Sequence, residues 1–145
     1  MNSNKAVKIR KMLERDEGLR LKPYRCSQGF LTIGVGRNLD SNGITKATAM
    51  QMLDEDVDAA VRGCRRIFDQ LFESWSENRQ LGWINLAFNL GFASLSQFKN
   101  TIRAARVNDW ESVEKGLRNS LWCKQVGSRS ERVIAMICKE AYPYD

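Results

Sequence analysis

Among its 145 residues the chain has no histidine at all. That removes the commonest general base, every Ser-His or Cys-His nucleophile pair, and the histidine-bearing zinc patterns. The four cysteines, Cys26, Cys64, Cys123 and Cys138, form no C-x-x-C pair, so the usual zinc spacings are missing too. No metal or organic cofactor is implied. No apolar run reaches the roughly eighteen residues of a membrane span. The opening MNSNKAVKIRKMLERDEG is broken by charges every few residues and lacks the apolar centre of a signal peptide, so a cytoplasmic start is expected. Free thiols are the default there, and three of the four cysteines read as small buried apolar residues. Prolines number only two, and no repeat, low-complexity tract or linker is visible. Catalysis would have to run on carboxylates, thiols, hydroxyls or amines.

What is present suits one folded domain: an ordinary length for a single core, with 43% hydrophobic and 28% charged residues. The net charge of +6 favours polyanions, whether nucleic acid, anionic lipid or an acidic cell-wall polymer. Basic residues are scattered (Lys8, Arg10, Lys11; Arg62, Arg65, Arg66; Arg129, Arg132), so a solvated surface and a functional patch both stay open.

The spacing of Val7, Ile9, Met12 and Leu13 predicts a helix over Lys5 to Arg15, ended by Asp16-Glu17-Gly18. FLTIGVG reads as a strand, with Phe30, Thr32 and Gly34 on one face. Pro23 and Tyr24 begin its partner, Cys26 to Gly29 is the turn, and Arg37 to Gly43 is turn chemistry. A long helix follows from Thr45, a plausible N-cap, to about Arg66, its stripe being Met50, Leu53, Val57, Val61 and Cys64. Further helices are expected over Ser76 to Leu90, Leu95 to Ala105, Asp109 to Leu121 and Ser128 to Glu140. The last opens on a capping box, Ser128-x-x-Glu131. Trp83, Trp110 and Trp122 read as core. The class is α+β: a small lobe with a β-hairpin, one long helix, and a larger helical lobe.

One stretch, DEGLRLKPYRCSQGFLTIGVGR, sets Glu17 at a helix exit facing the hairpin that carries Cys26 and Thr32. An acid shielded from water there would carry a raised pKa and could donate a proton near neutral pH. Glycoside hydrolysis demands such a donor, with a second group across the sugar to activate water. The Thr32 hydroxyl could hold that water but is too weak a base to activate it alone. Asp16 points elsewhere on its helix and reads as structural. Taken singly, each of these residues is equally at home as a surface side chain.

The string as a whole resembles the lysozymes of T-even bacteriophages, glycoside hydrolase family 24. The resemblance runs from MLERDEGLRLKPY and GFLTIGVGR through GITKATAMQMLDEDVDAAVRG, WINLAFNLG and FKNTIRAARVNDWESVEKGL to SLWCKQ and SRSERVI. It implies a lysozyme-like α+β fold with a small lobe at about 16–50, a connecting helix at about 45–66 and a helical lobe at about 67–145, on which the first helix packs. It implies Glu17 as general acid, with Cys26 and Thr32 placing and activating a water. Cys26 stands where most members carry aspartate. Phe88, Asn89 and Thr101 match positions that touch the sugar chain, and Arg129 matches an arginine that pairs with the acid. Asn38 and Gly116 fall at two further substrate positions but differ from the family residues.

The activity implied is that of an endolysin, a muramidase cutting the β-1,4 bond between N-acetylmuramic acid and N-acetylglucosamine in peptidoglycan. The partner would be bacterial peptidoglycan, met as a monomer, with no nucleic acid and no membrane insertion. The enzyme would wait in the host cytoplasm until another protein permeabilises the membrane, then act in the periplasm and wall. Two alternatives stay open: a lytic transglycosylase on the same bond, which needs the acid alone, and a non-catalytic basic protein binding wall or nucleic acid.

Overall fold

The computed structural model describes residues 1–144. Its contacts divide the chain into two compact units, Met1–Met50 and a helical remainder from Gln51 onward. The class is α+β, as expected.

The first unit opens with helix α1, Ser3–Glu17, capped by the Asn2 side chain, which accepts from the Lys5 N–H at 2.9 Å. At its other end the Gly18 N–H donates to the Glu14 carbonyl at 2.9 Å, and Gly18 takes a positive φ that turns the chain out of the helix. Glu17 is therefore the last helical residue. No residue of α1 is buried.

Strands β1 (Arg20–Arg25) and β2 (Leu31–Gly34) pair antiparallel with Tyr24 opposite Thr32 and Arg25 opposite Leu31. A third strand, β3 (Arg37–Asn38), then sets Asn38 beside Thr32, and a short helix α2 (Leu39–Asn42) follows. Arg37 to Gly43 is thus not merely a turn. Asn38 caps α2 by accepting from the Ser41 N–H at 3.0 Å, and Asp40 accepts from the Leu31 N–H at 2.6 Å, tying the segment back to the sheet.

Helix α3, Lys46–Phe68, starts at the expected cap: the Thr48 N–H donates to Thr45 Oγ1 at 3.1 Å. Only its later turns are buried, through Ala60, Gly63, Cys64, Ile67 and Phe68. The expected stripe fails in its first half, where Met50, Leu53 and Val57 are exposed. Five further helices replace two expected ones and fill a gap: α4 (Gln70–Ser74), α6 (Phe92–Ser96), α7 (Lys99–Arg106), α8 (Trp110–Arg118) and α9 (Leu121–Val126). Helices α5 (Glu77–Leu90) and α10 (Ser128–Lys139) pack closely on each other.

The core of this unit is aromatic at one end. Phe68 meets Trp75 and Trp83 at centroid distances of 4.9 and 4.7 Å, and Trp75 meets Trp110 edge-on at 5.2 Å. Trp83 and Trp122 are buried, while Trp110 is partly buried against the same cluster. The capping box does not form. Ser128 is the first helical residue rather than the cap, which is Gly127, and the Glu131 carboxylate instead takes two hydrogen bonds from Arg118, at 2.6 and 3.2 Å. An ion pair held by two N–H groups outcompetes the single reach back that a capping glutamate makes.

Candidate active site

The turn between β1 and β2 is a three-residue hairpin loop. The Cys26 N–H donates to the Phe30 carbonyl at 3.0 Å and the Gly29 N–H to the Cys26 carbonyl at 2.8 Å, with Gly29 in the left-handed region at φ +84°. The half-buried Cys26 thiol faces the backbone N–H groups of its own loop. They hold it below the ordinary cysteine value: the Gln28 N–H contributes most, partial burial acts the other way, and the Phe30 N–H, the Thr32 hydroxyl and the Gly29 N–H add to the lowering.

Thr32 is the buried member, 3% exposed, and its hydroxyl donates to the Phe30 carbonyl at 2.8 Å. Tyr24 pairs with Thr32 and the Cys26 N–H bonds to Phe30, which puts Cys26 and Thr32 on one face of the sheet, diagonal to each other. The one hydroxyl proton can serve either Phe30 or a Cys26 thiolate. The hydroxyl's lone pairs stay free to hold water.

Glu17 lies against the turn at the other end of β2. A Cβ placed on Gly36 would lie 3.0 Å from Glu17 Oε2 and 3.3 Å from its Cδ, so the carboxyl rests on the bare backbone between β2 and β3. Gly36 also holds φ +68°, a conformation other L-residues adopt at a cost. The expected shielding of the acid is absent: Glu17 is exposed.

The candidates in the helical unit separate into two places. Phe88 and Arg129 line one groove of about 400 Å³, together with Leu53, Val57, Leu81 and Asn85. Thr101 and Gly116 line another cavity of about 590 Å³, floored by Trp122 and edged by Ser94, Gln97 and Gln125. Thr101 is buried with its hydroxyl against Gly116; a Cβ there would fall 2.2 Å from Thr101 Oγ1. Asn89 is exposed, and its side-chain oxygen accepts from the Trp122 indole N–H at 2.8 Å, which fixes the amide's orientation and leaves its N–H groups free.

Arg129 is half-buried, and its Nε and Nη2 both donate to Asn85 Oδ1, at 3.1 and 2.8 Å. Asn85 escaped the sequence reading. It lies 44 positions from its partner, and an asparagine on a helix carries no signal by residue type. The bland reading of the other thiols holds best for Cys64 and Cys138, which burial pushes up to about 12 and about 11, while Cys123 is half-buried.

Comparisons with known proteins bear on this arrangement. A family model described as phage lysozyme matches residues 14–136. Among curated relatives, the pre-baseplate central spike protein Gp5 of Enterobacteria phage T4 is 28% identical over 163 residues, covering 94% of this chain but 28% of its own. Probable T4-type lysozyme 1 of Dictyostelium discoideum is 26% identical over 157 residues, covering 89% of this chain and 92% of its own. The peptidoglycan hydrolase gp36 of Pseudomonas phage phiKMV is 32% identical over 131 residues, covering 86% of this chain and 14% of its own. The chain thus spans a minor part of the two phage proteins and nearly all of the amoebal one.

Proposed function

This chain belongs to the phage lysozyme family, and we propose that it is an endolysin hydrolysing the β-1,4-glycosidic bond between N-acetylmuramic acid and N-acetylglucosamine in bacterial peptidoglycan. The observation that carries the site is the hairpin. A carboxyl at the end of α1 resting on Gly36 of the β2–β3 turn, and a loop thiol diagonal to the buried Thr32 hydroxyl, set three complementary groups around one small sheet.

In this reading Glu17, protonated, gives its proton to the glycosidic oxygen as the bond to the sugar carbon breaks. A water held by the Thr32 hydroxyl attacks that carbon from the opposite face and yields its proton to the Cys26 thiolate. The product sugar leaves with inverted configuration, Glu17 as carboxylate and Cys26 as thiol, and a proton exchanged with solvent resets the pair. The reaction needs the thiol ionised while the acid still holds its proton. Lowering the thiol raises its ionised share, which is the physical service the loop N–H groups supply.

Phe88, Asn89, Thr101 and Arg129 contact the sugar chain: the exposed Phe88 ring gives an apolar face, and Asn89 offers its free N–H groups. The positive net charge suits an acidic wall polymer. The enzyme works as a monomer without nucleic acid or membrane partners, and waits in the host cytoplasm until the membrane is permeabilised.

Wall lysis by Glu17→Gln, with the products analysed by mass spectrometry, tests the reading. Loss of lysis in the variant and ordinary reducing ends from the native protein are expected. Undiminished lysis by the variant excludes catalysis here, and anhydro-muramic ends identify a transglycosylase instead.

A further inference from the structure

Arginines crowd the place where α3 and α7 end. Arg62, Arg65 and Arg66 stand three and four positions apart on α3, so they share one side of its last turns, and all are exposed. On α7, Arg103 and Arg106 are likewise exposed neighbours, three positions apart. The two sets meet: an Arg106 N–H donates to the Ile67 carbonyl of α3, and Arg65 and Arg106 line one cavity of about 680 Å³. Acids offset only part of this charge. Glu73 pairs with Arg65 at 2.6 Å and Asp69 with Arg106 at 3.8 Å. Among the described residues no acidic side chain pairs with Arg62, Arg66 or Arg103, and Asp58, one turn before Arg62, is no exception.

Helix capping accounts for little of the cluster. Cations favour helix C-termini, and Arg106 does meet a terminal carbonyl. Arg62 lies more than a turn before the end of α3, and Arg66 stacks instead on the exposed Phe92 ring, 4.5 Å from its centroid. Like charges at these spacings destabilise an exposed helix face, so folding gains nothing from Arg62 beside Arg65 and Arg66. Stacking on Phe92 sets the plane of the Arg66 guanidinium and leaves its in-plane N–H groups free to donate. Such a fork matches the two oxygens of a carboxylate. None of these arginines lines the Phe88 groove or the Thr101 cavity.

We propose that this arginine cluster is a second binding surface for the wall, separate from the sugar-chain contacts of the helical unit, and that it grips carboxylates of the peptide stems. The inference rests on the lysozyme reading above, which supplies the polymer. Stem carboxylates recur along a peptidoglycan strand, so several can meet several arginines at once and hold the enzyme on an insoluble substrate.

The test measures adsorption to insoluble peptidoglycan over a salt series, in the Glu17→Gln background so that the wall stays whole. Arg62→Gln with Arg66→Gln is compared with Lys5→Gln and Lys8→Gln, which remove the same charge from exposed positions on α1. The arginine pair should weaken adsorption roughly two- to thirtyfold at low salt, the span of two exposed ion pairs, and flatten its salt dependence. The lysine pair should weaken it far less. Thermal melts should show the arginine variant at least as stable as its parent. Arg62→Gln alone, which breaks no hydrogen bond or ion pair, should show a smaller loss of the same sign whatever the Phe92 stack does for stability. Walls whose carboxylates have been amidated with carbodiimide and ammonia should bind parent and variant alike. Equal losses from the arginine and lysine pairs would assign adsorption to net charge and overturn the inference. An arginine penalty that survives amidation would overturn it too, pointing to phosphate instead. A native protein that adsorbs through these arginines yet leaves the wall uncut sinks the lysozyme reading and spares this surface. A lytic native protein whose adsorption ignores Arg62 and Arg66 sinks this inference alone.

Discussion

Four thiols of one chain divide by their surroundings. The loop N–H groups that lower Cys26 and the burial that lifts Cys64 to about 12 and Cys138 to about 11 act on the same functional group in opposite directions. The thiolate is the reactive form, so alkylation near neutral pH should mark Cys26 first, with Cys64 and Cys138 protected until the fold opens. Iodoacetamide labelling followed by peptide mass mapping reads this directly; Cys64 labelled as fast as Cys26 would contradict it. The seat of Cys26 was legible in the sequence, because Ser27-Gln28-Gly29 is turn chemistry between two apolar runs. The lowering was not legible, since it depends on which N–H groups the closed loop aims at sulfur. Asn85 was illegible for a related reason: its meaning lies in a partner on another helix.

Helices α8 and α10 are joined by charge as well as packing. Arg118 donates to Glu131 at 2.6 and 3.2 Å and to Glu114 at 3.0 Å, and Lys139 pairs with Glu114 at 3.6 Å. The Arg118 hydrogen bonds hold both carboxyls below the usual carboxylate range. A carboxyl lowered in the folded state adds stability that is fully present above the unfolded value, about 4.3, and is lost as pH falls through the lower folded value. Native protein should therefore lose melting temperature below about pH 4.3 more steeply than Arg118→Met, in which Glu131 is released and Glu114 keeps only Lys139. Coincident melting curves across that range would contradict the network's role.

The same pair explains why the expected capping box failed. Glu131 fits a capping box by spacing, yet its partner is Arg118, thirteen positions back. Periodicity found α1, α3 and α5 because each runs three turns or more; β3 and α2, with two and four residues, are too short to show any period. The stripe of α3 misled in its first half, where Leu53 and Val57 border the Phe88 groove instead of entering the core.

At the scale of the whole molecule the order of motifs made the fold class readable, because several segments in sequence constrain more than any one of them. The split of the substrate candidates, with Phe88 and Arg129 in one groove and Thr101 in another cavity, was not readable from spacing. The net charge of +6 acts at this scale as well. If attraction to an acidic wall speeds the encounter, lysis should slow markedly as salt rises from low ionic strength to about 1 M, where the Debye length shrinks to about 3 Å. A lysis rate independent of salt, with the fold intact, would remove charge from the account.

The central claim, that a thiol activates the water, is tested most directly by the pH dependence of wall lysis for native enzyme beside Cys26→Asp and Cys26→Ala. The Ala variant should be nearly inactive and the Asp variant active. The alkaline limb of the native profile should be displaced to lower pH when a carboxylate replaces sulfur. Superimposable native and Asp profiles, or full activity in the Ala variant, would show that Cys26 takes no part in the reaction.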